Sequence, residues 1–254
     1  VSTLRARCPH CRTLTAVALG DGYECHSCGT TFAAGLVRVP RAWGAGGEAM
    51  AEAASLRLPY PEALVVDEPT LEEQSAVVAR GLPVRPLVLG GCCCAHLGAI
   101  RGLSARHDRL AVVWLDAHGD LNTPETSPSG NLWGMPLRMA IDEGSVEPGD
   151  VALVGARDLD PPEEAYIARH GIDADVARAL GRADAAYVAL DVDVLEPGSV
   201  PCFMPVRGGP SSDEVVAILG VVAGLARLAG MGITGLVPGS DPLEIGRFAT
   251  AAGL

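Results

Sequence analysis

Two short stretches carry side chains able to hold cations. Val112-Val113-Trp114-Leu115-Asp116-Ala117-His118-Gly119-Asp120 puts an aspartate, a histidine and an aspartate at alternate positions where an apolar run ends, and Asp191 and Asp193 repeat that spacing after Tyr187 to Leu190. Side chains alternate along an extended chain, so each set converges on one side. Four carboxylates gathered at the ends of neighbouring strands repel one another unless cations neutralise them, and two divalent metal ions are the natural answer. The plainer alternative is a set of helix caps and solvated loop residues. Separately, Cys8-Pro9-His10-Cys11 and Cys25-His26-Ser27-Cys28 form two Cys-x-x-Cys knuckles thirteen residues apart. Four thiolates at this spacing close a tetrahedral zinc site, which leaves His10 and His26 as surface residues. Paired disulfides or free thiols are the alternative.

The elements expected to position these groups alternate. Leu87 to Leu89, Val112 to Leu115, Val151 to Val154, Tyr187 to Leu190 and Ile233 to Val237 read as buried strands, apolar enough for a parallel sheet covered on both faces. Thr70 with Glu73, and Ser211 with Glu214, have capping-box spacing and predict helices running to about Arg80, before Gly81, and towards Gly230. Strand–helix alternation predicts an α/β fold, three layers in αβα order around a mainly parallel sheet, with ligands at the carboxyl ends of the strands. Composition divides the chain into a zinc ribbon over residues 1–36, a glycine-rich linker or lead-in over 37–58 and an α/β metallohydrolase domain over 59–254.

The net charge of −12 argues against nucleic acid and anionic membrane as partners, although Arg5, Arg7, Arg12, Arg38 and Arg41 against Asp21 and Glu24 make a modest basic patch near the start. The nineteen basic residues of the Lys/Arg class are all arginine, which excludes Schiff-base and phosphate-loop lysine chemistry. No run approaches the roughly 18 apolar residues of a membrane span, and no secretory pattern opens the chain, so a soluble cytoplasmic protein is expected.

Asp116-Ala117-His118-Gly119-Asp120-Leu121-Asn122-Thr123-Pro124, followed by Ser129-Gly130-Asn131-Leu132-Trp133-Gly134-Met135-Pro136, resembles the metal and substrate segment of the arginase family of ureohydrolases, and the likeness extends over most of residues 85–245. The resemblance implies Asp116, His118, Asp120, Asp191 and Asp193 as metal ligands, one aspartate from each strand bridging two ions, with manganese usual. Catalysis would rest on Asp120, His118 and Asp193, since paired metals lower the pKa of a bound water towards about 7. It also implies that Asn122, Ser129 and Asn131 face a substrate α-carboxylate and that Asp160 and Glu163 face its α-amino group. Those two acids equally suit the cap of the helix that follows. A small-molecule substrate and a homo-oligomer, trimer or hexamer, are implied as well.

Three departures fall at the reactive end. Where the family has Gly-Gly-Asp-His-Ser this chain has Gly90-Gly91-Cys92-Cys93-Cys94, so Cys93 takes the place of the sixth ligand, and its softness favours zinc or iron over manganese, with nickel and cobalt also open. His96 is an alternative donor, while Cys92 and Cys94 read as small packing residues. Trp133 stands where the family has a proton-shuttling histidine, and indole does no acid–base work at neutral pH. The family's guanidinium-binding glutamate falls near Gly239, with Asp241 or Glu244 as candidates to compensate. The expected function is dinuclear-metal hydrolysis of a non-peptide C–N bond in a guanidino, ureido or amidino compound, α-amino acids included. The alternatives are a catalytically silent arginase-like binding or regulatory module, and a deacetylase-like zinc amidohydrolase.

Overall fold

The computed structural model describes residues 5, 6, 8, 10, 11, 13–19, 22–33 and 35–254. Four short strands, β1 (Arg5–Ala6), β2 (Ala16–Leu19), β3 (Gly22–Cys25) and β4 (Thr31–Phe32), form an antiparallel sheet in that order. The rest of the chain builds a seven-stranded sheet from β5 (Gly35–Val39), β6 (Glu62–Val65), β7 (Pro86–Gly90), β8 (Leu110–Leu115), β9 (Val151–Val154), β10 (Ala185–Asp191) and β11 (Leu228–Thr234), ordered β6-β5-β7-β11-β10-β8-β9. Every pairing in it is parallel.

Strand alternation sorts this sheet's side chains onto two covered faces. Leu87, Leu89, Val113, Leu115, Val188 and Leu190 pack with Val215, Leu219 and Val222 of α7 (Ser212–Leu225) and Ile245 and Phe248 of α8 (Pro242–Ala251). Val88, Val112, Trp114, Tyr187 and Ala189 face α2 (Leu71–Gly81), α3 (Cys94–Ser104), α4 (Pro136–Asp142) and α5 (Pro161–His170) through Val78, Leu97, Ile100, Leu137 and Tyr166. These numbers follow the chain, with α1 at Glu48–Ala53 and α6 at Val176–Leu180. The result is a three-layer α/β/α body whose near-continuous apolar strands are buried on both faces. No helix among the described residues is long and apolar enough to cross a membrane.

Thr70 caps α2 by accepting from the Glu73 amide at 3.2 Å, and Ser211 and Glu214 close the expected box on α7. That helix ends at Leu225, short of Gly230, because the last strand begins earlier than apolarity implies: β11 runs over 228–234 rather than 233–237. Gly230 lies inside this strand rather than after the helix, and Gly232, two residues on, is demanded by packing. A β-carbon there would meet the Tyr187 hydroxyl at 2.3 Å and His96 Nδ1 at 2.5 Å.

The lead-in expected over 37–58, and the ribbon's expected end at 36, also differ from the structure. β5 pairs with β7 from Gly35↔Pro86 to Val39↔Gly90, and Leu36, Val37 and Val39 are buried. Arg38 interrupts the apolar run, but its guanidinium is consumed by the Ala54 and Leu56 carbonyls and by Glu62. Arg41 pairs with Asp67. Arg7, Arg12 and Asp21 lie outside the described residues, as does the Arg5 side chain. The glycine-rich stretch after Arg41 is a wall, not a tether. Trp43 Nε1 donates to Gln74 Oε1 at 2.9 Å, the Ala45 amide donates to Asn131 Oδ1 at 3.0 Å, and Trp133 lies so close to Gly44 that a β-carbon would approach its ring to 2.4 Å.

Candidate metal centre

β8 and β10 are adjacent and in register from Ala185↔Leu110 to Leu190↔Leu115, so the residues after their ends emerge side by side. The local backbone then aims each carboxylate. Asp116 Oδ1 accepts from the His118 amide at 2.7 Å, Asp191 Oδ1 from the Asp193 amide at 3.0 Å, and Asp193 Oδ1 from the Ala117 amide at 3.0 Å. One oxygen of each is thereby held by the main chain, while the other meets side chains: Trp114 Nε1 at Asp116, Cys93 and Thr234 at Asp191, and His118 at Asp193. Asp120 sits in the left-handed region, φ 52°, a conformation aspartate tolerates better than most residues.

Two nests result. Ligand atoms of Cys93, Asp116 and Asp120 lie within 4.8 Å of one another, and those of Asp116, His118 and Asp193 do the same, so Asp116 is common to both. Asp191 adjoins the first nest, its Oδ2 receiving the Cys93 thiol at 2.9 Å and the Thr234 hydroxyl at 3.1 Å. Asp116, Asp120, Asp191 and Asp193 are each under 8% exposed, and Asp120 Oδ2 and His118 Nε2 are buried without a hydrogen-bond partner. Buried acids with orphaned oxygens cost several kcal/mol unless a cation completes them. The donor set therefore fits two divalent ions.

The electrostatics of the metal-free chain agree. Burial, then the charge of Asp116, raises the Asp191 carboxyl to about 6 and pushes that of Asp120 well up. Asp193 is raised by burial and by Asp191. Burial opposes charge on His118, but hydrogen bonds to Asp116 and Asp193 override it and lift the imidazole to about 12. A group whose pKa is raised on folding stabilises the fold below its unfolded pKa and loses that contribution as pH rises through the folded value. For Asp191 the loss spans 3.8 to about 6, and for His118 it begins at 6.5. Chelated protein should therefore lose roughly 5 °C or more of melting temperature between about pH 5 and 8, and added divalent metal should remove the slope. A flat profile in calorimetry of the chelated protein would contradict the repulsion described.

A cavity of about 280 Å³ opens over the nests. Asn122, Ser129, Asp160 and Glu163 line it, together with Asp158, Met50, Phe203 and Trp133, whose ring meets Phe203 edge-on. Asn131 does not line it, since its carbonyl oxygen is spent on Ala45. Asp160 and Glu163 close a capping box on α5, and Asp160 Oδ2 also accepts from Asn122 Nδ2 at 2.8 Å. Glu163 carries two backbone amides, those of Leu121 and Asp160, so both its oxygens are engaged. Neither compensating acid reaches the cavity: Asp241 caps α8 and Glu244 pairs with Arg247. His96 is buried one layer below, between Tyr187 and Thr234, and does not line the cavity. Sequence reasoning missed Asp158, Met50, Phe203 and Thr234. Only Thr234 left a trace, as the last residue of a strand whose limits were misplaced.

The four ribbon cysteines also gather within 4.8 Å, with Cys8 Sγ 3.7 Å from Cys28 Sγ and Cys11 Sγ 3.5 Å from Cys25 Sγ. Those separations are far beyond a disulfide's S–S length.

Comparison with known proteins places this geometry. A family profile described as the arginase family matches residues 50–252. An arginase of Staphylococcus aureus (strain COL) is 35% identical over 171 residues, 56% of either chain, and one of Bacillus subtilis (strain 168) is 36% identical over 158 residues, 51% of this chain and 53% of its own. The chain thus matches just over half the length of these relatives. Bacillus subtilis arginase superposes with a TM-score of 0.73 at 24% identity, covering 87% of this chain and 98% of that one. Proclavaminate amidino hydrolase from Streptomyces clavuligerus gives 0.67 at 21%, covering 87% and 92%. These superpositions show a common fold. With the profile spanning most of its length, the chain belongs to the arginase family.

Proposed function

We propose that the protein hydrolyses a C–N bond of a small guanidino, ureido or amidino compound with two divalent metal ions. The observation that carries this reading is the pair of nests sharing Asp116 beneath the cavity. Cys93, Asp116 and Asp120 would hold one ion and Asp116, His118 and Asp193 the other, with Asp191 beside the first. When bound, such a pair polarises the scissile group and lowers the pKa of water into the neutral range. The chain itself contributes aim and enclosure. Backbone amides fix the carboxylates, Arg157 ties the Asp193 segment through the Asp193 and Val206 carbonyls, and Trp133, Phe203 and Met50 keep one side of the cavity dry. Trp133 does no acid–base work, so with His118 committed to the ion the proton-relaying group at the cavity is Asp158, whose Oδ2 stands 3.8 Å from His118 Nε2.

Manganese, zinc, iron, nickel and cobalt are all compatible with the imidazole and carboxylate donors. Arginine itself is disfavoured because neither Asp241 nor Glu244 replaces the family's glutamate near Gly239, and a substrate with an apolar arm beside its amidino group suits Trp133 and Phe203 better. We also propose a structural zinc on Cys8, Cys11, Cys25 and Cys28, and a cytoplasmic homo-oligomer, trimer or hexamer. Exposed Val221 and Leu225 on α7 and Leu243 on α8 offer apolar surface for such contacts.

A panel of guanidino, ureido and amidino compounds, assayed with manganese and with zinc, should reveal turnover that Asp193→Ala abolishes. Two ions bound beyond the ribbon zinc with no turnover of any member would favour a silent binding module. A single ion with amide cleavage would favour the deacetylase-like reading.

A further inference from the structure

Resting on that dinuclear reading, we infer that the Cys93 thiolate is a direct metal ligand and that it makes the Cys93–Asp116–Asp120 nest select a thiophilic ion, zinc or ferrous iron, over manganese. Cys93 is 5% exposed, and its Sγ lies against three oxygen atoms: Asp191 Oδ2 at 2.9 Å, Thr234 Oγ1 at 3.3 Å and Asp116 Oδ2 at 3.7 Å. One S–H satisfies one of these at a time. An independent sign of a missing cation lies in the same nest, because Asp120 is 4% exposed and its Oδ2 has no partner. When an ion enters, the S–H bond breaks, the sulfur electron pair goes to the ion and the proton goes to bulk water.

The two nests offer different donors. One presents sulfur with two carboxylates, the other imidazole with two carboxylates. Thiolate discriminates strongly for zinc and iron over manganese, whereas imidazole and carboxylate accommodate all of them, so the first nest sets the selectivity. The layer beneath can turn a hydroxyl proton toward the nest. Burial holds His96 neutral, its pKa lowered to about 3, and its ring lies 2.9 Å from the Tyr187 hydroxyl and 3.1 Å from Thr234 Oγ1. One consistent set of protons has Tyr187 donating to Nδ1 and Nε2–H donating to Thr234, which leaves the threonine hydroxyl free to donate to Asp191 or to the sulfur. Such outer partners tune metal sites by about 10- to 100-fold in affinity.

Cobalt(II) is the probe, added to the wild-type chain and to Cys93→Ser, each with its ribbon intact so that ribbon absorption cancels between them. The wild-type minus variant spectrum should contain a sulfur-to-cobalt charge-transfer band. In competition between equal zinc and manganese, elemental analysis should show the zinc preference falling about tenfold or more in Cys93→Ser and in Cys93→His. If Cys93→Ser fails to fold, cadmium NMR of the wild-type chain answers alone, with a resonance between those of four-sulfur and all-oxygen sites expected. Cobalt bound equally by both proteins with superimposable spectra, or no intermediate cadmium resonance, would overturn this inference and leave the hydrolase reading standing. No cobalt beyond the ribbon would remove both.

Discussion

Asp116→Ala is expected to lower kcat/KM by about a thousandfold or more and to leave the protein unable to retain either ion of the pair. Asp116 is the residue common to both nests, so its loss opens them together, whereas Asp120→Ala or Asp193→Ala touches one. The variant should still fold. Its cost is two buried donors left without acceptors, the His118 amide and Trp114 Nε1, at roughly 1–3 kcal/mol each. Against that stands relief of the repulsion that raises Asp120, Asp191 and Asp193. Asp116→Asn keeps an acceptor for one of the two donors and separates the two effects, restoring part of the stability without restoring turnover. Elemental analysis beside steady-state kinetics gives the measurement. Two ions retained in Asp116→Ala, or activity within tenfold of wild type, would be incompatible with a shared bridging carboxylate.

The second large effect is expected from a position with no chemistry of its own. Gly235 follows β11 at φ 74°, where a side chain costs about 1–2 kcal/mol, and a β-carbon there would lie 2.0 Å from Asp191 Oδ1. Asp191 has nowhere to retreat, since Oδ1 holds the Asp193 amide and Oδ2 holds Cys93 and Thr234. Gly235→Ala should therefore push Asp191 out of the site, lower activity by about a hundredfold or more and lower the melting temperature by several degrees. Calorimetry and kinetics of the purified variant decide it. Wild-type values in both would mean that this backbone yields more readily than the contacts imply.

The parts of this protein readable from residue order alone share one property: their partners are close along the chain. The Asp-x-His-x-Asp and Asp-x-Asp groupings are each set by a few residues of extended backbone, and the Thr70 and Ser211 caps by one turn of helix. The alternating buried strands follow from local hydrophobicity, so the three-layer architecture and the clustering of acids at the strand ends could be anticipated. What escaped depends on contacts formed between distant segments. Cys93 meets Asp191 across 98 positions and Thr234 across 141, and no local pattern records either distance. Gly232 is required only because His96 and Tyr187 pack against it. Arg38 disguises a core strand until carbonyls from α1's end absorb its charge. Asn131, expected from the motif to face substrate, gives its side-chain oxygen to the Ala45 amide, 86 positions away in sequence. Propensity and periodicity report a residue's neighbours in sequence, whereas register, cavity walls and the identity of each carboxylate's second partner arise only when the sheet brings remote segments within a hydrogen bond's reach.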